Sequence, residues 1–447
     1  MPKQLSSNEL VPLLLSADVF LSRVAYVEDW RTFMLTEDGY LWRVAADDEI
    51  TNRIMHLIDA AHPEVVYGNT KLIDLMHLMR RKIPIQWKTP KERYVAFTDC
   101  LLDLSTLQSV PFPSPPPTNG DVALLSYSFP YPTAPIPTPH FDKFLATSLV
   151  DEESHAPDPT LVVFVQEIMG YLLLPDLFGA AAFFFYGAGK NGKSVLADLC
   201  RAMIGDDLST AMTLETLTAQ RFAAAVLVGK KLNVVNEDES RYLQSDRFKA
   251  LVTGEFISAE RKFGASFNFR PFAKHIFCTN SQPRFDELNH GLRRRVKIIP
   301  FYRRIPNSEK DVHLLGKLKE EMPGIIHWAL EGARRFIAQG YEFSDEASPA
   351  VQRELGEFED TVSPPSRFIK ENYKLDDNAF LPNEQLYAAY VEWCKANGNK
   401  PLNSMNFHKD VTKNSGAKSH LKKVGGAVMR GKRLRGVNEP STDDIPL

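Results

Sequence analysis

The chain has 447 residues, of which 44% are hydrophobic and 24% charged, and this balance excludes an intrinsically disordered chain and leaves enough apolar residues for two or three cores. The four cysteines Cys100, Cys200, Cys278 and Cys394 form no CxxC pair, which argues against a zinc site or a disulfide framework and favours a reducing compartment, the cytoplasm. The net charge of −3 indicates no general affinity for nucleic acid, but residues 401–436 hold nine Lys or Arg and one acid, a local charge of +8 (9 − 1).

Residues 1–108 predict an α/β or mostly helical domain. Helical periodicity runs through EITNRIMHLIDAAH and NTKLIDLMHLMRRK, and a strand pattern runs through RYVAFTDCLLDLS. The first residues lack the charged and apolar regions of a signal peptide. A primase or polymerase site needs an alternating apolar strand that aims two carboxylates at one metal. Neither the acids of AADDE nor the pair Asp99 and Asp103 lie in such a pattern. We therefore expect no primase or polymerase site in this domain.

A proline-rich segment follows, and ten of the thirty prolines lie between Pro111 and Pro139. Because proline at this density cannot continue helices or central strands, residues 109–140 predict an extended connector. Residues 141–180 predict a helical segment. The longest apolar stretch of the chain, Leu172–Gly187, begins within it and continues into the next segment. That stretch is interrupted by Pro175 and Asp176 and is too short to span a membrane.

Strand and helix patterns alternate over residues 181–305, which predicts a parallel sheet covered by helices. A further helical segment is predicted at 306–362, before a Pro-Pro break. Residues 366–436 predict helices followed by a Gly-rich basic stretch, a pattern typical of a winged helix. The predicted fold class is therefore α/β, with flanking helical or mixed domains.

The sequence GAGKNGKS satisfies the P-loop pattern between a predicted strand and a predicted helix. Glycines allow backbone N–H groups to surround phosphate oxygens, and the helix N-terminus adds positive potential. Lys193 is expected to reach the β- and γ-phosphates of ATP, and the Ser194 hydroxyl to ligate Mg²⁺. The predicted nucleotide-binding residues are Gly187, Ala188, Gly189, Lys190, Asn191, Gly192, Lys193 and Ser194.

Acidic residues follow the next buried strand pattern, Leu232–Val235, in the sequence NEDE. The C-terminal end of a parallel strand is where such sheets present catalytic groups. Glu237 and Asp238 are therefore predicted to share two tasks, holding Mg²⁺ and polarising the attacking water, with the assignment between them open.

Two further motifs complete the predicted site. The strand pattern HIFCT ends in Asn280, whose amide could sense the γ-phosphate or orient the water. Arg293, Arg294 and Arg295 precede another strand pattern, and we expect them close to the nucleotide edge of the sheet. An arginine presented to a neighbouring subunit's γ-phosphate would stabilise the charge of the transferring group, and either Arg294 or Arg295 could serve.

Taken in order, these motifs resemble superfamily-3 helicases, specifically the phage and plasmid primase-helicase branch related to the poxvirus D5-type nucleoside triphosphatase. FKALVTGEFISAERKFG resembles the DNA-contacting motif of that branch, with Lys249, Arg261 and Lys262 at matching places and Glu255 where aspartate is usual. The resemblance extends to the helices on both sides of the core and to the basic C-terminal part.

The resemblance implies an AAA+-like ATPase core that assembles as a hexamer and moves 3′ to 5′ on single-stranded DNA at forks. It implies that Arg261 and Lys262 line the central channel and contact phosphates. Lys422, Lys423 and Arg433 are the expected DNA contacts of the C-terminal domain. The N-terminal domain is expected to act as a collar, with a separate primase or polymerase as partner, in a bacterial host carrying a phage, plasmid or other mobile element.

Two other functions fit parts of the pattern. One is a replication initiator in which ATP switches DNA binding or assembly without processive unwinding. The other is a small-molecule P-loop kinase, although such kinases rarely carry an arginine cluster after the third strand and a basic C-terminal module.

Overall fold

A computed structural model describes most of the chain. It describes all residues except 1–4, 17–22, 64, 117–118, 221, 239–242, 262–265, 284, 286–289, 398–400, 416, 418, 425–426 and 438–447.

The N-terminal part is mixed α/β and contains two sheets. Its elements are α1 (Ser7–Leu15), β1 (Val24–Val27), β2 (Thr32–Thr36), β3 (Trp42–Ala45), α2 (Asp47–Ala61), α3 (Asn69–Lys82), β4 (Ile85–Trp87), β5 (Lys91–Ala96), β6 (Leu101–Asp103), β7 (Gln108–Val110) and β8 (Asp121–Ser126). The sheets have the strand orders β3-β2-β1-β4 and β7-β6-β5-β8. The helices α2 and α3 lie where the sequence periodicity predicts them, since the positions Ile50, Ile54 and Ile58 are buried on one face.

The prediction that residues 109–140 form an extended connector is wrong at the centre of this range. The proline-free run DVALLS forms β8, which pairs in parallel with β5 and completes the second sheet. The residues Val122 and Leu124 join the apolar cluster that packs this part against the rest of the molecule. The prolines lie on either side of β8 and not within it, so the strand keeps all its N–H donors.

Two helices then lead into a five-stranded parallel sheet. The elements are α4 (Pro139–Ser148), α5 (Pro159–Leu173), β9 (Ala182–Tyr186), α6 (Lys193–Ile204), β10 (Ser209–Thr210), α7 (Leu214–Ala219), β11 (Leu232–Val235), α8 (Ser245–Thr253), β12 (Ile257–Ala259), β13 (Phe267–Phe269), β14 (Lys274–Thr279), α9 (His290–Arg293) and β15 (Val296–Pro300). The strand order β10-β11-β14-β9-β15 places β9 and β14 in the interior of the sheet. The strands β12 and β13 form a separate antiparallel hairpin.

The helices α10 (Leu314–Glu320), α11 (Met322–Ala338) and α12 (Pro349–Val362) follow the sheet. The helix α11 packs against α5 so closely that a Cβ atom at Gly332 would lie 2.1 Å from the carbonyl oxygen of Gln166. This crossing fixes the helices before the sheet to those after it.

The C-terminal part is a small domain with its own core around Phe368, Tyr390 and Phe407. Its elements are α13 (Pro364–Asn372), β16 (Tyr373–Leu375), β17 (Leu381–Pro382), α14 (Asn383–Ala396), α15 (Ser404–Asn414), β18 (Ser419–Val424), β19 (Ala427–Lys432) and β20 (Leu434–Gly436). The strands β17, β19 and β18 form a sheet beside the helices, and β16 pairs with β20. Among the described residues, no helix of any part combines the length and apolarity needed to cross a membrane.

Candidate nucleotide site and nucleic-acid surfaces

The GAGKNGKS loop joins the C-terminal end of β9 to the N-terminus of α6. Its backbone takes left-handed conformations at Gly189 (φ 92°), Lys190 (φ 54°) and Gly192 (φ 93°). At the two glycines these angles carry no steric cost, because glycine has no side chain. The loop therefore turns tightly in front of a helix N-terminus, the arrangement in which backbone N–H groups can bind anions.

Contacts from several elements hold this loop. Asn191 Nδ2 donates a hydrogen bond of 2.9 Å to the carbonyl oxygen of Phe301, and the N–H of Ile305 donates one of 2.7 Å to the carbonyl oxygen of Lys190. A Cβ atom at Gly192 would lie 2.5 Å from Ser148 Oγ, so α4 closes directly over the start of α6. These supporting contacts have no local signal in the sequence, because their partners are more than 40 residues distant.

Lys193 is the buried cation of the loop, with 6% of the residue exposed. Its Nζ donates to the carbonyl oxygen of Gly187 at 2.9 Å and to Asn280 Oδ1 at 2.8 Å. Burial lowers the pKa of Lys193, and the nearby Cys278 and Glu237 oppose that shift. The predicted residues Lys193, Glu237 and Asn280 thus lie around one point at the C-terminal edge of the sheet.

The acids after β11 have different surroundings. Glu237 is exposed, whereas Asp238 is 5% exposed. Asp238 Oδ2 accepts a hydrogen bond of 2.9 Å from the N–H of Leu214, the first residue of α7, and its own N–H donates to the carbonyl oxygen of Cys278. We expected Asp238 to present its carboxylate to the nucleotide. Its side chain instead caps a helix inside the protein.

Asn236 is the polar residue that follows β11 directly. Its Nδ2 donates a hydrogen bond of 2.8 Å to Asp198 Oδ1 on α6. Asp198 was not predicted as a site residue, and it brings a further carboxylate beside the loop helix. Among the described residues, however, no group of three His, Cys, Asp or Glu side chains is arranged to hold a metal ion unaided.

The arginines 293–295 do not lie at the nucleotide edge of their own sheet, contrary to our expectation. The strand β15 runs parallel to β9, and the carbonyl oxygen of Arg295 accepts a hydrogen bond from the N–H of Ala182 at the start of β9. Five strand residues, roughly 16 Å, separate this point from Gly187. The sequence places these arginines before a parallel strand, and the starts of parallel strands lie at the edge opposite to their ends.

The three arginines also differ in their contacts. Arg293 forms an ion pair with Glu359 on α12. Arg295 Nη1 donates to the carbonyl oxygen of Gly291 at 2.5 Å, and burial lowers the pKa of Arg295, with a smaller contribution from Arg294. Arg294 is exposed. It is therefore the arginine of the three that is best placed to contact another molecule.

The predicted DNA-contacting motif forms α8 and the hairpin β12–β13. Lys249 Nζ lies 3.2 Å from Asp246 Oδ1 on the surface of α8. Lys262 lies outside the described residues. Arg261 is not a freely projecting side chain as expected, because its guanidinium donates to the carbonyl oxygens of Arg31 at 2.9 Å and Trp30 at 3.1 Å in the N-terminal domain.

The basic C-terminal segment is only partly available for binding. Lys422 and Lys423 are exposed on β18, and Lys409 and Arg430 are exposed nearby. Arg433, a predicted DNA contact, instead pairs with Asp377 at 2.9 Å. Further charges of the segment are used internally: Lys432 is buried and donates to Ser419 Oγ at 3.1 Å, and Arg435 pairs with Asp376. The side chains of Lys413 and Lys418 lie outside the described set.

Comparison with known proteins gives two family matches. Residues 185–295 match a family of unknown function (DUF5906), and residues 366–424 match a family described as poxvirus D5 protein-like. The first range runs from the end of β9 to Arg295, and the second covers most of the C-terminal domain.

Two curated viral proteins are similar over part of the chain. One is an Acanthamoeba polyphaga mimivirus protein named as a candidate helicase (L207/L206), 30% identical over 152 residues. The other is primase D5 of fowlpox virus, 26% identical over 141 residues. The alignments cover 32% and 29% of this chain but only 15% and 18% of those relatives.

Two solved apo structures of the NrS-1 C terminal region have the same fold. They superpose with TM-scores of 0.52 and 0.51 at 14% identity, covering 97% of this chain and all of theirs. The mixed α/β architecture with a parallel sheet is thus shared along nearly the whole length.

Proposed function

Because the chain is a relative of the D5-type primase-helicases of superfamily 3, we propose that it is an ATP hydrolase that works as a replicative DNA helicase. The observation that carries this proposal is the meeting of Lys193, Asn280 and Glu237 at the mouth of the GAGKNGKS loop. These residues come from three parts of the sequence and from neighbouring parallel strands. Such a combination of cation, amide and carboxylate fits phosphoryl transfer to water.

The loop fits a nucleoside triphosphate with Mg²⁺. The loop N–H groups and Lys193 would bind the β- and γ-phosphates, and Ser194 would hold the metal, directly or through water. Asn191 supports the fit by holding the loop in place, since its Nδ2 donates a hydrogen bond to the carbonyl oxygen of Phe301. Mg²⁺ would neutralise charge on the phosphates as the bond to the leaving group breaks.

Within this site, Glu237 rather than Asp238 is the acid that we assign to the attacking water. Glu237 is exposed and close enough to Lys193 to influence its pKa, whereas Asp238 is committed to the N–H of Leu214. Asn280 would orient the same water or the γ-phosphate. Asp238 would act by holding α7 against the strand that carries Glu237.

We further propose that the enzyme works as a ring, with six subunits as the expected number. The backbone of Arg295, the residue after Arg294, contacts the start of β9 roughly 16 Å from the phosphate loop of its own chain, so we infer that a role of Arg294 at a γ-phosphate requires a neighbouring subunit. A ring in which each subunit donates Arg294 to the next would satisfy this requirement. Arg295 would position that segment through its bond to Gly291.

The ring would translocate 3′ to 5′ on single-stranded DNA at forks. The C-terminal part supports a contact with duplex DNA, because its order of a helix, two short strands, two helices and a hairpin fits the winged helix that we propose. Its exposed cations Lys422, Lys423, Lys409 and Arg430 would contact phosphates. A separate primase or polymerase in the cytoplasm of a bacterial host, acting on a phage or plasmid replicon, would complete the system.

The test is DNA-stimulated ATP hydrolysis together with displacement of a labelled strand from forks with a 3′ or a 5′ tail. The proposal expects both activities, with displacement from the 3′-tailed substrate. ATP-dependent DNA binding without displacement would instead support the initiator hypothesis, and phosphate transfer to a metabolite would support a kinase. Mass measurement with a non-hydrolysable nucleotide and a single-stranded oligonucleotide tests the ring.

A further inference from the structure

A cleft of about 430 Å³ lies between α15 and the hairpin β18–β19 of the C-terminal domain. On the helix side, Lys409 and Thr412 are three positions apart and share one face of α15. On the hairpin side, Ser419 is paired with Lys432, so Ser419 and Arg430 lie on the same face. The side chains that line the cleft are polar or basic: Asn383, His408, Lys409, Thr412, Ser419 and Arg430.

Lys432 is a buried cation behind this cleft, with 0% of the residue exposed. Its Nζ donates to Ser419 Oγ at 3.1 Å and to Thr412 Oγ1, so it joins the two walls. Among the residues that the structure describes, no carboxylate lies at ion-pair distance from Lys432, whereas the buried Lys231 pairs with Glu92. Burial lowers the pKa of Lys432. An anion in the adjacent cleft would offset the cost of this buried charge.

The hydroxyl of Ser419 connects the buried charge to the cleft. Its oxygen accepts from Lys432, and within the described part of the chain no acceptor takes its own proton. Thr412 differs, because its Oγ1 donates to the carbonyl oxygen of His408 at 2.7 Å. A hydroxyl that accepts a bond from an ammonium group is polarised and becomes a stronger donor. Ser419 is exposed, so it can present this donor to an anion.

Two exposed cations complete the lining. Lys409 and Arg430 are exposed, and neither pairs with a carboxylate of the described residues. The acids next in sequence to the lining residues do not face the cleft. Asp410 accepts a hydrogen bond of 2.7 Å from Ser363 Oγ, and Glu384 is exposed but does not line the cleft. The cleft therefore has a positive lining, which fits a phosphate group.

From this geometry we propose that the cleft binds one phosphodiester group of duplex DNA, with the Ser419 hydroxyl, Arg430 and Lys409 as its direct contacts. Lys432 is a positioning residue, because its bond to Ser419 Oγ directs the hydroxyl proton into the cleft. The contact fixes α15 and the hairpin on the DNA backbone without reading bases. This inference deepens the proposed function and rests on it, since it assumes that the C-terminal domain contacts duplex DNA.

The test measures the affinity of the full-length protein for a labelled blunt-ended duplex over a range of salt concentrations. Ser419→Ala should weaken binding about tenfold, because a hydrogen bond to a charged group is lost, and should leave the salt slope unchanged, because no charge is removed. Ser419→Thr should keep most of the affinity, since it retains the hydroxyl. Arg430→Ala should weaken binding and reduce the salt slope by about 0.9, the value for one phosphate contact on a duplex.

Lys432→Met tests the positioning role. It should weaken binding about as much as Ser419→Ala, and the double variant should lose little more, because the two residues act as one unit. Losses that multiply in the double variant would overturn the positioning role. Ser419 is exposed, so its two substitutions test the site even where Lys432→Met unfolds the domain.

Lys395→Ala is the matched control, because it removes an exposed cation of the same domain. Residue 395 lies twelve positions from Asn383 along α14, about 18 Å from the cleft. Wild-type affinity in both Ser419→Ala and Arg430→Ala would overturn the proposal, and so would an equal loss in Lys395→Ala.

Two further outcomes separate the sources of the phosphate and the two proposals. If inorganic phosphate raised the melting temperature of the wild type but not of Ser419→Ala, while their duplex affinities were equal, the cleft would take a free anion and the proposal would fail. A wild-type protein that bound no duplex at all would instead contradict the proposed function.

Discussion

Lys193 Nζ lies 2.8 Å from Asn280 Oδ1, so the cation of the phosphate loop is hydrogen-bonded to the amide that follows the neighbouring strand. The two residues are 87 positions apart and meet because β9 and β14 are adjacent and parallel. A second bond from Nζ to the carbonyl oxygen of Gly187 holds the cation in place. The ammonium group is thereby held between the loop and Asn280, beside the position that we propose for the γ-phosphate.

This relationship predicts the effect of removing Lys193. Lys193→Ala should lower the rate of ATP hydrolysis by at least about 100-fold, because it removes the charge that would stabilise the transferring phosphoryl group. The measurement is phosphate release at saturating ATP. Arg201→Ala is the control, since Arg201 is a cation further along α6 that pairs with Asp206. Similar rates in Lys193→Ala and the control would contradict the site.

Glu237→Gln and Asp238→Asn separate the two adjacent acids. Glu237→Gln should abolish hydrolysis while nucleotide binding persists, because only the carboxylate that polarises water is lost. Asp238→Asn should instead lower the free energy of unfolding by about 1–2 kcal/mol, since it weakens the charge-assisted bond to the N–H of Leu214. ATPase assays and urea unfolding on both variants distinguish the roles. The reverse pattern would assign the catalytic acid to Asp238.

The fold and the positions of most residues of the candidate site were predictable from sequence because their signals are local. A buried strand followed by glycines and lysine, and another followed by acids, are each visible within a dozen residues, and parallel pairing brings the strand ends together. The contacts of Arg261 and Asp238 could not be predicted in this way. Each depends on a partner in another element, Trp30 or Leu214, to which no pattern in the sequence points.

The expected position of the arginine cluster failed for a related reason. A residue before a parallel strand and a residue after one lie at opposite edges, and our expectation placed Arg294 by its nearness in sequence to Asn280. The strand β8 was missed because proline density on both sides outweighed the signal of six residues. Its partner β5 lies about 30 positions earlier, beyond the reach of a local pattern.

His275 gives a prediction on pH. It is buried in β14 with neither ring nitrogen hydrogen-bonded, and burial lowers its pKa to about 4 from an ordinary value of 6.5. Above pH 6.5 the residue is neutral in both states, and as pH falls toward 4 the unfolded chain takes up a proton that the folded chain does not. The free energy of unfolding should therefore fall by about 2 kcal/mol between pH 7 and pH 5.

His275→Leu should remove most of that pH dependence, because the side chain no longer titrates. Urea unfolding at both pH values provides the measurement, and His77→Leu, at an exposed position on α3, is the control that should keep the wild-type slope. An unchanged slope in His275→Leu would show that other groups account for the acid sensitivity.

Arg261→Ala should loosen the N-terminal domain from the hairpin. The substitution removes two hydrogen bonds to backbone carbonyls and a cation–π contact with Phe267, and we expect a loss of about 1–3 kcal/mol of stability. Hydrogen exchange should rise in residues 28–31 and 257–259, with the nucleotide loop unaffected. Exchange that stayed as in wild type at both segments would mean that the apolar cluster alone holds the two parts together.

The position of Arg294 predicts recovery of activity from two inactive proteins. Lys193→Ala subunits cannot bind phosphate correctly but can donate Arg294, whereas Arg294→Ala subunits have an intact loop but donate nothing. Where an Arg294→Ala subunit receives Arg294 from a Lys193→Ala neighbour, the site is complete. After random mixing in equal amounts, a site has an intact loop with a probability of one half, and its neighbour donates Arg294 with a probability of one half. About one quarter of the sites should therefore hydrolyse ATP.

The measurement is the ATPase rate after the two variants are mixed, dissociated and reassembled. A matched mixture replaces Arg294→Ala with Arg293→Ala, because Arg293 is paired with Glu359 in its own chain and should need no complementation. A mixture of Lys193→Ala and Arg294→Ala that stays inactive would mean that Arg294 acts within its own subunit, or not at the phosphates. The start of β15, which follows Arg294, lies roughly 16 Å from the loop, and a neighbouring subunit is therefore the route to a γ-phosphate that this mixture tests.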